Sequence, residues 1–405
     1  MAGEWCTSIA GRARSKTESS MGQQMTAFRC DQLFDGTQMH KAVVLLVQDG
    51  RILGTCAAAD VPAAAAVTEL GGGILAPGFV DLQVNGGGGV MFNDRQDSNT
   101  LLTICQAHAA LGATSVLPTL ITASFEHVRA AIAAARGAVA TSMPGVIGLH
   151  LEGPHLAPER KGAHDAALIR AMDAHDLALL CDAARALPAL MVTLAPESVS
   201  PDQVAALVSA GAVVSLGHSG ADYEECLALV HAGARCTTHL FNAMSPLSHR
   251  APGLVGAALD LGELSCGLIA DGVHVHPVAM RLALRAKRGP GQIFLVSDAM
   301  APAGTDQRSF MLDGREIRRE NGQLTLADGT LAGADLDLAT ALRVIVQDVG
   351  CDLEMALQMA TSIPAAVIGN GSVGHLRSGT LADMVHLNDE LELQAVWQQG
   401  HQIRG

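Results

Sequence analysis

Aromatic residues are only 3% of the 405-residue chain, with a single tyrosine and two tryptophans. That is too few for a surface that stacks bases. Basic residues are also scarce: 26 Lys and Arg stand against 40 Asp and Glu, for a formal net charge of −14. Nucleic acid and anionic membrane both require a basic face, so neither is expected as a partner. The nine cysteines never fall in a Cys-x-x-Cys pair. An odd count without framework spacing points to free thiols in a reducing cytoplasm. No apolar run reaches the roughly 20 residues that span a bilayer. Charged residues stop at 16% while hydrophobic ones reach 49%, so the chain can build a large core and most of it is not disordered.

The polar first 24 residues carry Arg12, Arg14 and Lys16 and no apolar leader stretch. They read as a disordered tail, or as an over-long start before Met21 or Met25, with a basic, Ser-containing organelle-targeting leader as the alternative. Residues 25–76 read as short strands: Val43 to Val47 is apolar and β-branched, Asp49-Gly50 is a hairpin signal, and Arg51 to Gly54 returns. Residues 375–405 look similar, with Ala382 to Leu387, a turn at Asn388-Asp389, and Leu391 to Trp397. Two strand-rich ends around a different middle predict one small β-sandwich built from both.

The middle, 77–374, alternates strand-like and helix-like segments. Strand candidates fall at 78–84, 113–119, 145–151, 189–194, 212–216, 235–240, 265–270 and 292–297. Ala/Leu-rich helical stretches such as 101–110, 125–135 and 221–231 lie between them. Eight strands with helical crossovers define an α/β architecture, the number that closes a (β/α)8 TIM-like barrel, with an open doubly wound sheet as the alternative. A strand insertion is expected at about 308–327, turning at Asp313-Gly314 and Asn321-Gly322, and helices at 334–349 and 353–367 close the unit.

Barrel chemistry sits where strands end. Four predicted strands end in residues suited to it: Glu152 on the third, His218 on the fifth, His239 on the sixth and Asp298 on the eighth. Each alone has an ordinary reading. A strand-end His is more often a hydrogen-bonded loop residue than a ligand, and a strand-end Asp is more often a helix cap. Together they are harder to dismiss. One carboxylate and two imidazoles supply three ligands and leave a position open, the pattern of a catalytic zinc-type site. A separate Asp beside it suits a general acid/base.

The strings His150-Leu-Glu-Gly-Pro-His155, Leu216-Gly-His-Ser-Gly220, Thr237-Thr-His-Leu-Phe-Asn-Ala-Met-Ser-Pro246 and Val296-Ser-Asp-Ala-Met300 closely resemble the N-acetylglucosamine-6-phosphate deacetylase family of the amidohydrolase superfamily. So do Pro77-Gly-Phe-Val-Asp-Leu-Gln-Val-Asn-Gly86 and Arg250-Ala-Pro-Gly-Leu-Val-Gly-Ala257. The resemblance runs in order from about Leu33 to Asp383. It implies a (β/α)8 barrel with a small β-sandwich, and a metal-dependent removal of the acetyl group from N-acetyl-D-glucosamine 6-phosphate in amino-sugar catabolism. By matching motif, Glu152, His218 and His239 would bind the metal and Asp298 would be the acid/base. His164 would contact the N-acetyl group or orient it. Asn242, Ala243, Arg250 and His274 would hold the sugar phosphate, and Leu331, Ala332 and Gly333 would offer backbone contacts. Arg250 would reach the neighbouring subunit's site, making a homodimer.

Many superfamily members carry His-x-His on the first strand, where this chain has Gln83-Val84-Asn85. Neutral amides are poor ligands for a transition metal, so one divalent ion per chain, Zn2+, is expected. Three rival readings fit the same residues: N-acetylgalactosamine-6-phosphate deacetylation, another amidohydrolase reaction on a substrate without phosphate, and an inactive barrel used as a scaffold. The last would be favoured by loss of Asp298 or a ligand position, and none is lost.

Overall fold

The computed structural model describes residues 25–405; the tail expected at 1–24 lies outside the described residues. Eight parallel strands form one sheet in sequential order: Val80–Val84, Ser115–Ile121, Leu149–Glu152, Leu190–Leu194, Val213–Leu216, Cys236–Thr237, Ser265–Leu268 and Ile293–Leu295. A parallel bridge between Val84 and Ala299, with hydrogen bonds from Asp298 N to Gln83 O and from Asn85 N to Ala299 O, joins the last strand to the first. The barrel expected from the eight apolar runs is therefore present. Helices such as Ser98–Ala110, Phe125–Ala140 and Tyr223–His231 fill the crossovers. Their starts are fixed by Asp97, Ser124 and Asp222, whose side chains accept backbone N–H groups of the first turn.

The sixth strand is shorter than the run 235–240 suggests. Its pairing stops at Thr237 because His239, Phe241 and Ala243 adopt positive φ (33°, 79° and 51°), which no continuous strand allows. The helix expected over 334–349 is interrupted as well: an α-helix at Leu338–Arg343 passes into a π-turn at Val344–Asp348. The stretch 353–367 divides into Leu353–Ala360 and Ser362–Val367 at Thr361, whose backbone leaves the helical region.

The two ends of the chain form the outer sheets. Val43–Gln48 and Arg51–Ala57 pair antiparallel through Asp49 and Gly50, both at positive φ as a tight hairpin requires. The strand Ile74–Pro77 pairs with Gln32–Phe34 on one side and with Met384–Leu387 on the other, which sews the C-terminal strands to the N-terminal ones. Between these sheets Phe28 meets Trp397 edge-on, with ring centroids 5.2 Å apart.

Two features position the site. Beneath the barrel mouth lies a buried polar layer: His150 Nε2 is 2.7 Å from Thr193 Oγ1, Thr193 Oγ1 is 2.6 Å from Thr238 Oγ1, and Ser215 Oγ is 2.7 Å from Thr238 Oγ1. A satisfied network of this kind fixes side-chain directions that an aliphatic layer would leave loose. Above the mouth, the expected insertion is a hairpin of Ser309–Leu312, Arg315–Glu320 and Gln323–Thr325, continued by Leu331–Ala334. Asp313-Gly314 and Asn321-Gly322 turn it, again with positive φ at both residues of each pair. Arg315 ties it to the carbonyl of Ala163, beside His164.

Candidate active site

The three residues read as ligands converge. His218 Nε2 and His239 Nε2 lie 3.1 and 3.0 Å from Glu152 Oε1, and 3.0 Å from each other. Among the described residues this is the one group of three or more His, Cys, Asp or Glu side chains with such spacing. All three are buried. A nearly equilateral triangle of one carboxylate oxygen and two imidazole nitrogens suits a divalent cation. Ligand distances of about 2.0–2.2 Å place tetrahedral corners about 3.4 Å apart, so an ion needs only a few tenths of an ångström of adjustment. Hydrogen bonding alone satisfies the group poorly, because two imidazole nitrogens 3.0 Å apart share one acceptor. The tautomer of His218 agrees: its Nδ1 is 2.8 Å from the carbonyl of Arg160, which can only accept, so Nδ1 carries the proton and Nε2 keeps its lone pair for a cation. His239 Nδ1 is buried without a hydrogen-bond partner.

Backbone strain marks the same place. His218, His239 and Asp298 follow their strands with φ of 48°, 33° and 50°. Non-glycine residues there cost of order 1–3 kcal/mol each and persist only where the surroundings dictate them. Here they do. The His218 carbonyl accepts from Ala157 N, Leu240 N donates to Gly267 O, and Asp298 is gripped on both sides, donating to Gln83 O and accepting from Ala334 N. Gly333 is required in this weave: at φ +63° its added Cβ would fall 2.8 Å from the Asp298 carbonyl.

Electrostatics separate the two acids. Burial alone would raise Glu152, but the imidazoles of His218 and His239 against it hold it well below the usual carboxylate range. Asp298 goes the other way: burial, then the Glu152 charge, pushes it up to about 6. Its Oδ1 receives Asn85 Nδ2 at 2.6 Å and Gln83 Nε2 at 3.1 Å. His164 is pushed down to about 3 by burial and then by the adjacent His218, whose ring centroid is 4.4 Å away, so it is neutral. Its Nδ1 accepts from Thr122 N at 3.3 Å and lies 2.8 Å from Thr122 Oγ1, which leaves the proton on Nε2.

These groups line a cavity of about 400 Å³. Glu152, His164, His218, His239, Asn242, Ala243, His274, Asp298, Leu331 and Gly333 all border it. His274 is oriented by Asp271, 2.6 Å from its Nδ1, and Asn242 Nδ2 faces the carbonyls of Leu240 and His239. Two expected residues are not in this lining. Ala332 is fully buried behind it, and Arg250 is exposed in its loop with no hydrogen bond or ion pair among the described residues. Sequence reasoning missed Thr122, which only the fold brings to His164, and the contacts of Gln83 and Asn85 with Asp298. A larger cavity of about 920 Å³ at the opposite end of the eighth strand, near Arg281, Lys287 and Met355, gathers no comparable set of chemical groups.

A (β/α)8 barrel that brings one carboxylate, two imidazoles and a separate acid with a raised pKa to its C-terminal mouth has the architecture of a metal-dependent hydrolase. The chain belongs to the amidohydrolase family, whose model matches residues 74–403. It is 44% identical over 329 residues to an N-acetylgalactosamine-6-phosphate deacetylase of Shewanella sp. (strain ANA-3), covering 81% of this chain and 83% of that one. It is 36% identical over 320 residues to an N-acetylglucosamine-6-phosphate deacetylase of Haemophilus influenzae, covering 78% and 83%. The crystal structure of N-acetylglucosamine-6-phosphate deacetylase from Pasteurella multocida superposes with a TM-score of 0.89 at 34% identity, covering 93% of this chain and 99% of that one.

Proposed function

We propose that this chain hydrolyses the acetamide of N-acetyl-D-glucosamine 6-phosphate to D-glucosamine 6-phosphate and acetate. The observation that carries the reading is the Glu152–His218–His239 triangle beside Asp298, in a cavity also bordered by His164, Asn242 and His274. One divalent ion, Zn2+ by its N/O donor set, would be held by Glu152, His218 and His239, and when bound it supplies Lewis-acid polarisation and a lowered water pKa. Asp298 accepts the proton of the attacking water as the new C–O bond forms. It passes that proton to the nitrogen as the C–N bond breaks, because the amine is too basic to leave unprotonated. His164, neutral with its proton on Nε2, donates to the carbonyl oxygen as charge develops there. Asn242, the Ala243 main chain and His274 hold the phosphate end, and the backbone at Leu331 and Gly333 covers the sugar.

Arg250 completes phosphate recognition in the neighbouring subunit's site. Its exposure and lack of an internal partner support this, as do exposed apolar residues in its own loop and after the next barrel strand. Leu247 shares its loop, Val273 adjoins His274, and Val278 and Leu282 stand one turn apart on the following helix. Cytoplasmic residence is supported by the buried thiols of Cys30, Cys105, Cys181, Cys226, Cys236 and Cys266, which form no disulfides. Among the described residues no helix is long and apolar enough to cross a membrane.

The second reading is the galacto epimer, favoured by the 44% identity to the Shewanella protein. Acetate release from both N-acetylhexosamine 6-phosphates and their unphosphorylated forms, with metal analysis, tests the function. The phosphorylated pair should be preferred by about 100-fold or more in kcat/KM, and the ratio within the pair decides between epimers. No acetate from either by metal-replete protein would sink both readings. Arg250→Ala should raise KM for the phosphorylated substrate about 10–100-fold, the worth of a charge-assisted contact, with little change for the unphosphorylated sugar. In verified heterodimers of Arg250→Ala and Asp298→Asn chains, one site regains both residues. No recovery of activity in those heterodimers would place Arg250 outside its neighbour's site.

A further inference from the structure

The side-chain amide of Gln83 stands between two carboxylates. Its Nε2 is 3.1 Å from Glu152 Oε2 and 3.1 Å from Asp298 Oδ1, while Asn85 Nδ2 is 2.6 Å from that same Asp298 Oδ1. Ionised carboxylates only accept, so the NH2 end of each amide must face them; a flipped amide would set its oxygen against an anion. Both N–H bonds of Gln83 are thereby used, one on each acid. Glu152 Oε1, the other oxygen of that carboxylate, is the atom that faces both imidazoles.

We infer that Gln83 and Asn85 are positioning residues that assign the four carboxylate oxygens. Glu152 Oε1 is turned to the ion site and Oε2 is held by Gln83, so Glu152 offers a single oxygen as ligand. Asp298 Oδ1 is held by the two amides, and Oδ2 is the oxygen left for proton transfer. The part concerning Asp298 rests on the reading of this site as a deacetylase; the part concerning Glu152 does not.

The surroundings make the amides rigid enough to do this. Gln83 and Asn85 are 2% and 1% exposed. Their backbones are laced to the end of the eighth strand, Gln83 O accepting from Asp298 N at 3.0 Å and from Ser297 Oγ at 3.4 Å, and Asn85 N donating to Ala299 O at 2.9 Å. Alternation along the first strand sends residues 83 and 85 to the same face. An amide suits the task chemically. It brings two donors without a charge, so it can bridge two anions without competing for them as a lysine would.

The test separates the two amides. Gln83→Met keeps length and volume but removes both donors; Asn85→Leu removes the donor that reaches only Asp298. Zn2+ affinity by chelator competition, kcat and KM on N-acetylglucosamine 6-phosphate, and melting of the ion-free proteins would be measured. Gln83→Met should weaken Zn2+ binding about 10–100-fold, as loss of a ligand's supporting hydrogen bond does. At saturating Zn2+ it should also lower kcat at least about 100-fold with KM within about threefold. Asn85→Leu should lower kcat comparably and leave Zn2+ affinity within about threefold. Where Gln83→Met fails to melt cooperatively, Gln83→Asn, which retracts the donors by one methylene, carries the same expectation. Unchanged Zn2+ affinity and kcat in the Gln83 variants overturns the inference. Equal loss of Zn2+ affinity in Asn85→Leu overturns the oxygen assignment. If the substrate reading is wrong, wild type and variants alike release no acetate from this sugar phosphate, yet the difference in Zn2+ affinity between the two positions remains.

Discussion

Asp298→Asn is expected to lower kcat by about 10²–10⁴-fold, the usual contribution of a positioned acid/base, while ion content and KM stay near wild type. The substitution is conservative in shape. Its carbonyl oxygen can still accept from Gln83 and Asn85 where Oδ1 does now, so orientation survives and only proton transfer is lost. Equal loss of kcat and kcat/KM with unchanged KM is the signature of an interaction made in the transition state. The pH profile gives a second check. Asp298 is pushed up to about 6 and must be ionised to accept a proton, so kcat/KM should fall as pH drops through its pKa. A divalent ion alongside favours the anion and moves that limb to about 6 or below. The limb should vanish in the Asn variant. A variant that instead loses its ion, and recovers in proportion when ion is added back, would make Asp298 a ligand.

Glu152, His218, His239 and Asp298 were legible because each breaks an apolar run with a chemical group, and barrel geometry turns four strand ends into one mouth. The hairpin turns were legible for a similar local reason, since Asp-Gly and Asn-Gly tolerate the positive φ found there. What the sequence hid was contact across the closure. Gln83 and Asp298 are 215 residues apart, and only the joining of the first and eighth strands brings them within hydrogen-bond reach. Taken alone, Gln83 and Asn85 could be read only by what they are unsuited to do, which is ligate a second ion. Thr122 escaped for the same reason, because a threonine after an apolar strand carries no signal until His164 lies over it. The shortness of the sixth strand also has a non-local cause: the positive φ of His239 is imposed by its neighbours, and the β-branched pair Thr237-Thr238 before it reads as continuing strand.

Glu152→Gln should abolish ion binding and activity together. Glu152 supplies the only charge among the three proposed ligand atoms, and both imidazoles face its Oε1. A neutral amide oxygen is a far weaker ligand for a transition metal. The Gln variant also places its NH2 either on the ion site or against Gln83 Nε2, which now donates to Glu152 Oε2; one of the two contacts is lost whichever way it flips. The expected loss of affinity therefore exceeds the 10–100-fold typical of outer contacts, and about 10³-fold is a reasonable scale. Elemental analysis of wild type should find one divalent ion per chain, and two tightly held ions, both needed for turnover, would defeat that stoichiometry. Melting provides a readout independent of substrate. An ion present at 100 times its Kd stabilises the folded state by about 2.7 kcal/mol, so wild type should melt higher with Zn2+ than without. Glu152→Gln should show no such difference at the same concentration. Asp298→Asn should keep it, since that acid is turned to the amides of Gln83 and Asn85. If both variants lost the Zn2+-dependent rise in Tm, the division of this site into three ligands and one proton carrier would be wrong.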